Sequence, residues 1–303
     1  MKKKLIFCAL TAAALIALLA DAERVQAAMM EALALCARTV IPSQFLFLAL
    51  SSLLVSLGLG ELLAPRLEFL MRPLFRVDGA GASALVLGLI GGYPAGARTA
   101  AELYQARLLT RAEAEQLLAF CNNANPAFLI SVLGVGVFHS VRVGMWLWII
   151  HVLSALLTGI CFRNYGGRER HIPSRAGAVR AVSFSTAFVA AVKSALSTVL
   201  SICAFVSVFY TVAQPLRFLP GSFAPAAVGF LELFSVIPLL PQGRFGFCLA
   251  ASLAGWGGVS VLCQTMAVLA DSGLSAKTCW LGKALQAGLS ALLALLAAGW
   301  VFG

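Results

Sequence analysis

Long apolar stretches separated by short charged runs dominate the hydrophobic pattern of the chain. The stretches predicted to be continuous spans cover residues 5–20, 40–60, 143–162, 194–213 and 278–302. Most of them are close to the roughly 20 residues that an α-helix needs to cross the hydrocarbon core of a bilayer. Helices satisfy their own backbone hydrogen bonds in lipid, so the pattern predicts an all-α polytopic membrane protein.

Four further apolar stretches contain residues that break helices; they cover 79–97, 117–138, 223–243 and 247–270. The predicted structural breaks are at Gly91, Gly92, Pro94, Pro126, Pro238, Gly257 and Gly258. Irregular backbone at membrane depth is tolerated only when it is buried in protein or lines a cavity. We therefore expect 79–97 and 223–243 to be re-entrant segments that enter the membrane without crossing it.

The order of these elements repeats, because a span, two broken stretches and a second span occur twice. We divide the chain into 1–39 (N-terminal span or signal, plus an interfacial helix), 40–162 (first repeat), 163–185 (basic cytoplasmic loop) and 186–303 (second repeat). With the N-terminus inside and 79–97 re-entrant, the second repeat runs opposite to the first. The five Arg residues of 163–180 then face the cytoplasm, as the positive-inside rule requires. The predicted architecture is an inverted repeat of spanning helices with re-entrant, Gly/Pro-broken helices.

The N-terminal segment allows two interpretations. Three lysines precede the apolar run 5–20, and Ala20-Asp21-Ala22 fits a small-x-small cleavage site. The run is either a signal peptide or an uncleaved first span, and the many later apolar stretches favour the span. Residues 21–39 mix charged residues with Ala, Met and Leu, which predicts an interfacial amphipathic helix. Thr110 and Glu113 have the spacing of a capping box for a short helix.

The composition excludes a soluble enzyme. The chain is 61% hydrophobic and only 11% charged, with a mean hydropathy of +0.94, so little of it can face water. The net charge of +10 lies in short runs between apolar stretches, which indicates contact with anionic lipid rather than with nucleic acid. The eight Cys residues form no CxxC pair, and the three His residues are scattered. We therefore expect no metal, no cofactor and no catalytic constellation.

Polar residues at the breaks are the candidate site. Inverted-repeat transporters bind their substrate near the bilayer midplane, between paired broken segments. The candidate substrate-binding residues are Tyr93, Asn122, Asn123, Asn125, Glu232, Ser260 and Gln264. Asn and Gln offer both donors and acceptors, and an intramembrane carboxylate such as Glu232 is a functional candidate by default. The alternatives are hydrogen bonds between helices for the Asn cluster, and an ion pair of Glu232 with Lys193, Arg244 or Lys283.

Three motifs also carry a family resemblance. Gly91-Gly92-Tyr93-Pro94-Ala95-Gly96-Ala97, Phe120-Cys121-Asn122-Asn123-Ala124-Asn125-Pro126 and the glycine-rich segment 257–264 resemble the YlbJ-type sporulation integral membrane proteins. That family is grouped with the nucleoside-recognition, or Gate-domain, proteins, which are distantly similar to concentrative nucleoside transporters. The resemblance implies a multi-pass cell-membrane carrier active in spore formation, with dipicolinic acid as the suggested cargo.

Two alternatives to that function stay open. One is a carrier of nucleosides or related solutes, coupled to Na⁺ or H⁺. The other is a non-transporting scaffold of a sporulation complex, against which the polar groups at the midplane argue. The expected partners are a small solute, the lipid bilayer, a coupling ion and, in a homo-oligomer, further copies of the chain. The N-terminus is expected in the cytoplasm.

Overall fold

The computed structural model describes residues 2–165 and 183–302, and every regular element in that part of the chain is a helix. The α-helices are α1 (Lys2–Ala20), α2 (Ala22–Leu35), α3 (Ile41–Ser56), α4 (Leu59–Leu70), α5 (Gly81–Gly91), α6 (Ala95–Gln105), α7 (Arg111–Leu117), α8 (Val141–Cys161), α9 (Phe184–Ala213), α10 (Phe223–Leu231), α11 (Gly243–Trp256), α12 (Val259–Leu269) and α13 (Lys277–Phe302). π-Helical segments cover Cys36–Val40, Met71–Phe75 and Ala127–Val137, and short 3₁₀ helices cover Gln214–Phe218 and Ile237–Leu239.

Five helical stretches among the described residues are long and apolar enough to cross a membrane. They are Ala22–Leu54, Val141–Cys161, Phe184–Phe218, Gly243–Leu269 and Lys277–Phe302. The predicted all-α membrane class is therefore confirmed. The predicted spans 143–162 and 278–302 agree closely with α8 and α13, whereas α9 begins at Phe184 rather than at residue 194.

The first long helix differs from the prediction. α2, the π-helical Cys36–Val40 and α3 are continuous, so no boundary separates an interfacial helix at 21–39 from a span at 40–60. Ala28, Ala32, Cys36 and Val40 recur at four-residue spacing and are all buried. This stripe lets the helix pack along α9 despite the charges on its other faces. Counting charges alone does not reveal such a stripe.

The predicted breaks interrupt the helices in the described structure. α5 ends at Gly91 and α10 at Leu231, so neither 79–97 nor 223–243 is one continuous helix. At 1.5 Å per residue these two helices are only about 16 and 14 Å long, roughly half the thickness of the hydrocarbon core. The re-entrant paths, the inverted repeat and the domain boundaries stay predictions. Most of the predicted basic loop, residues 166–182, lies outside the described residues.

Glycine geometry explains two of the breaks. Gly92 has φ +80° and ψ −172°, and Gly257 and Gly258 have φ +84° and +92°. A residue with a Cβ atom is strained in these conformations. Helices α5 and α11 therefore end where the sequence has a pair of glycines. The predicted capping box is also present at the start of α7. Thr110 Oγ1 accepts a hydrogen bond from Glu113 N at 3.2 Å, and Glu113 Oε2 accepts one from Thr110 N at 2.9 Å.

The α5–α6 pair encloses the start of the break at 121–126. Gly88 of α5 and Gly96 of α6 lie against the carbonyl oxygen of Cys121, and a Cβ added at either would be 1.6 or 1.9 Å from that oxygen. Elsewhere α3 packs along α9, and α11 and α8 both pack on α13. These contacts bring the ends of the broken helices together.

Candidate functional site

The first two breaks lie against each other. A Cβ added at Gly92 would be 3.0 Å from the Cβ of Asn125, so only glycine leaves room for the asparagine. The hydroxyl of Tyr93 donates a hydrogen bond at 2.8 Å to the carbonyl oxygen of Ala254, near the end of α11. The break that follows α5 is thereby joined both to the break at 121–126 and to the Gly257-Gly258 break.

The other two breaks are also in contact. A Cβ added at Gly258 would be 3.1 Å from the carbonyl oxygen of Leu231 and 3.3 Å from the Cα of Glu232. All four predicted breaks therefore converge, although they are spread over more than half of the sequence.

Each residue from 122 to 125 is bonded to a different helix. Asn122 Nδ2 donates to Thr265 Oγ1 of α12 (2.7 Å), Asn123 Oδ1 accepts from Gln286 Nε2 of α13 (3.0 Å), Ala124 N donates to His151 Nε2 of α8 (3.1 Å) and Asn125 Nδ2 donates to Gln44 Oε1 of α3. This irregular break thus ties four helices through buried polar groups, although Asn122 Oδ1, Gln44 Nε2 and His151 Nδ1 have no hydrogen-bond partner among the described residues. Hydrogen bonding between helices, the alternative stated for the Asn cluster, describes Asn122 and Asn123 well.

A small cavity lies where the breaks meet. It is lined by Gln44, Gly92, Tyr93, Ala124, Asn125, Phe128, Ile202, Glu232, Leu233, Phe234, Val261 and Gln264. Its volume is about 30 Å³. That is space for two or three water molecules, at roughly 10–15 Å³ each, and not for a metabolite.

Four of the seven predicted site residues line that cavity, namely Tyr93, Asn125, Glu232 and Gln264. Asn122, Asn123 and Ser260 are fully buried outside its lining. Gln264 Nε2 makes one long hydrogen bond, of 3.4 Å, to Ser260 Oγ. Two lining amide nitrogens are therefore weakly held by protein, because Gln44 Nε2 has no hydrogen-bond partner among the described residues and Gln264 Nε2 has only this long bond.

Glu232 caps its own loop. Its carboxylate accepts hydrogen bonds from Phe234 N at 3.0 Å, from Ser235 Oγ at 2.5 Å and from Ser235 N. Lys193, Arg244 and Lys283 form no ion pair with it among the described residues. These bonds stabilise the turn after α10, a role that was not among the sequence-based alternatives.

A larger polar groove leads to the cavity. It has a volume of about 570 Å³ and shares Ile202 and Gln264 with the cavity lining. Its polar and charged lining residues are Arg98, Glu102, Gln105, Ser197, Thr198, Ser201, Gln264 and Asp271. Arg98 donates a hydrogen bond at 3.2 Å to Ser194 Oγ, and it forms no ion pair with a described carboxylate. The groove therefore offers a guanidinium with spare donors on the route to Gln264.

Sequence reasoning missed Gln44 and Arg98 as residues near the site, and it considered Lys283 only as an alternative ion-pair partner of Glu232. Gln44 and Lys283 each interrupt an apolar stretch, which is a usable signal because polar groups at membrane depth are costly. Arg98 directly follows the first broken segment, but it reads as the start of a charged amphipathic stretch. Only the fold shows that this stretch faces the groove.

The fold and the convergent breaks define the class: an all-α integral membrane protein whose broken helices enclose a polar site. The sequence is 30% identical over 302 residues to the sporulation integral membrane protein YlbJ of Bacillus subtilis (strain 168), covering 85% of this chain and 73% of that protein. The chain therefore belongs to the YlbJ-type family of sporulation integral membrane proteins. No protein-family model and no solved structure matches the chain.

Proposed function

We propose that this protein is a cell-membrane carrier for a small polar or anionic solute, active in spore formation, with dipicolinic acid as the first candidate cargo. The observation that carries the proposal is the convergence of four helix breaks on one cavity lined by Asn125, Glu232 and Gln264. Broken helices expose backbone donors and acceptors where a solute can use them. The protein acts by moving its solute and not by chemical conversion.

Arg98 supports an anionic solute. A guanidinium binds a carboxylate with two parallel hydrogen bonds. Arg98 lies in the polar groove and forms no ion pair among the described residues, although the carboxyl of Glu102, one turn along α6, interacts with its charge. The groove is large enough to admit a dicarboxylate, whereas the cavity beyond Gln264 has to open. Transport by such a carrier therefore requires movement of the breaks around the cavity.

The two alternatives make different demands on these residues. A nucleoside carrier needs the amides of Asn125 and Gln264 but no guanidinium in the groove. A scaffold without transport needs neither a cavity nor a groove leading to it, so the continuity of the two through Gln264 disfavours it. The grouping with nucleoside-recognition proteins keeps the nucleoside alternative in place.

Binding of the solute tests the proposal. Purified protein is heated with dipicolinate, with uridine or with neither, and its melting temperature is recorded. Dipicolinate should raise the melting temperature, because a ligand that binds only the folded state stabilises it. Gln264→Ala should remove most of that rise, whereas Gln26→Ala on the exposed side of α2 should leave it intact. A rise with uridine alone would favour the nucleoside carrier, and no rise with either would count against a carrier.

Replacing Arg98 by Gln should weaken binding of dipicolinate about tenfold to a hundredfold, since a hydrogen bond to a charged group contributes roughly 1.5–3 kcal/mol. Binding titrations on the purified variant measure this loss. Arg66→Gln is the matched control, because Arg66 is exposed on α4 and bonds only the nearby Leu62 carbonyl. Equal affinity in Arg98→Gln and wild type would remove the guanidinium from the solute route.

The proposed orientation places the N-terminus and loop 163–180 in the cytoplasm and residues 214–222 outside. Single cysteines at positions 170 and 221, in a cysteine-free background, are treated with a membrane-impermeant thiol reagent. Position 221 should react in intact cells and position 170 only after permeabilisation, because the Arg residues of the loop are retained inside. Labelling of position 170 in intact cells would refute the inverted topology.

A further inference from the structure

Lys283 is a buried cation close to the site. Its side chain, on α13, has no exposed surface. The ammonium donates a hydrogen bond at 2.7 Å to Gln286 Oε1 and lies 5.2 Å from the centre of the Tyr93 ring. No described carboxylate forms an ion pair with it. An ammonium in this position is costly unless a negative charge comes close to it or the nitrogen gives up its proton.

A polar chain connects Lys283 to the backbone of the cavity. Gln286 presents its oxygen to Lys283, and its Nε2 donates to Asn123 Oδ1 at 3.0 Å and to the His151 carbonyl oxygen at 3.4 Å. His151 in turn accepts at Nε2 from Ala124 N, and Ala124 lines the cavity. Hydrogen bonds therefore link Lys283 to the break that ties the four helices.

Tyr93 is a neighbour of both Lys283 and the cavity. Its ring centre lies 5.2 Å from the ammonium, its side chain belongs to the cavity lining, and its hydroxyl donates to the Ala254 carbonyl oxygen. An anion bound in the cavity would share this aromatic neighbour with the ammonium. Protein and lipid screen charges much less than water does, so such an anion would stabilise the ammonium.

We propose that Lys283 binds and releases the proton that couples transport to the pH gradient. This inference rests on the proposed function as a carrier of an anionic solute. The solute's negative charge stabilises the ammonium while the cavity is occupied, and the amine returns its proton to water after the solute has left. One proton then moves with each solute molecule, and a dicarboxylate with both groups ionised crosses with one net negative charge.

The groups around Lys283 agree with this role. The titratable groups that interact with it are Tyr93 from the first break, Cys121 from the second, His151 from α8 and Cys279 from α13 itself. All four are neutral in their ordinary protonation states near pH 7, so none of them supplies a fixed counter-charge. Glu232 lines the cavity, but its oxygens accept hydrogen bonds within its own loop, and it forms no ion pair with Lys283 among the described residues.

Proton uptake by the wild-type protein tests the inference directly. Purified protein in weakly buffered detergent solution with a pH indicator is mixed with dipicolinate at a series of pH values from neutral to mildly alkaline, throughout which both carboxylates of the probe are ionised. Binding should take up protons, approaching one per solute bound at the pH values where the empty site has released its proton, by linkage between the two sites. Binding without proton uptake would overturn the inference and leave the proposed function intact. Absence of binding of both dipicolinate and uridine would instead overturn the proposed function.

Variants at position 283 locate the proton. In proteoliposomes, dipicolinate exchange at equal pH is compared with uptake driven by an imposed pH gradient. Lys283→Met and Lys283→Gln should lower the gradient-driven uptake at least about tenfold more than the exchange, because neither side chain carries a proton. Lys277→Met, at the exposed start of the same helix, should change neither rate. Gradient-driven uptake at the wild-type rate in either position-283 variant would assign the proton to another residue.

Discussion

Replacing Gly96 by Ala should strongly destabilise the folded protein. The added Cβ would lie 1.9 Å from the carbonyl oxygen of Cys121, and in Gly88→Ala it would lie 1.6 Å from the same atom. The atom that is met is backbone, and the backbone is held between α5 and α6, so neither side can move cheaply. Overpacking of this kind costs about 1–3 kcal/mol or more, which exceeds the roughly 0.5–1 kcal/mol that Ala contributes within a helix.

Gly288 on α13 supplies the matched control, because a Cβ added there meets no atom within 4 Å. The yield of monodisperse protein after detergent extraction, with its melting temperature, should fall sharply for Gly96→Ala and Gly88→Ala. Gly288→Ala should match or slightly exceed the wild type. A Gly96→Ala protein as stable as wild type would mean that the α5–α6 pair does not enclose Cys121 as described.

Glu232→Gln should lower the melting temperature by several degrees. The carboxylate accepts hydrogen bonds from Phe234 N, Ser235 N and Ser235 Oγ, whereas an amide side chain has one acceptor oxygen and places a donor toward these donors. Loss of one buried hydrogen bond to a charged group costs about 1.5–3 kcal/mol. Transport by the folded fraction should still respond to a pH gradient, because Lys283 is retained.

Ser235→Ala tests the hydrogen bonding of the Glu232 carboxylate separately from its charge. It removes one donor to Glu232 and keeps the carboxylate, so it should lower the melting temperature less than Glu232→Gln does. If Glu232→Gln has wild-type stability but loses its response to the gradient, the carboxylate carries the coupling ion and the loop-capping account of Glu232 is wrong.

The positions of the helix breaks were predictable because they depend on local chemistry. Gly92, Gly257 and Gly258 adopt backbone conformations that exclude other side chains, so the sequence itself marks where α5 and α11 end. The class of protein followed from the lengths of the apolar stretches alone. The continuous helix from α2 to α3 was not predictable by counting charges, because its buried stripe is defined by α9, far along the chain.

The site was predictable in kind but not residue by residue. The sequence indicates that Asn122, Asn123 and Asn125 belong to one polar break, but their side chains point to different helices in the structure. Only Asn125 lines the cavity, since the extended backbone turns successive side chains in different directions. Arg98 and Lys283 come close to the site through packing of α6 and α13, which a pattern along the chain does not encode.

Solute counterflow in proteoliposomes tests the central claim most directly. Vesicles loaded with unlabelled dipicolinate are diluted into labelled dipicolinate at equal pH, so that only a carrier with one exchangeable site accumulates label. The wild type and Gln26→Ala should accumulate label well above protein-free vesicles. Gln264→Ala should accumulate at least about tenfold less label than the wild type, because it lacks the amide that hydrogen-bonds the solute. Wild-type vesicles that accumulate no more label than protein-free ones, with dipicolinate and with uridine alike, would contradict the carrier account.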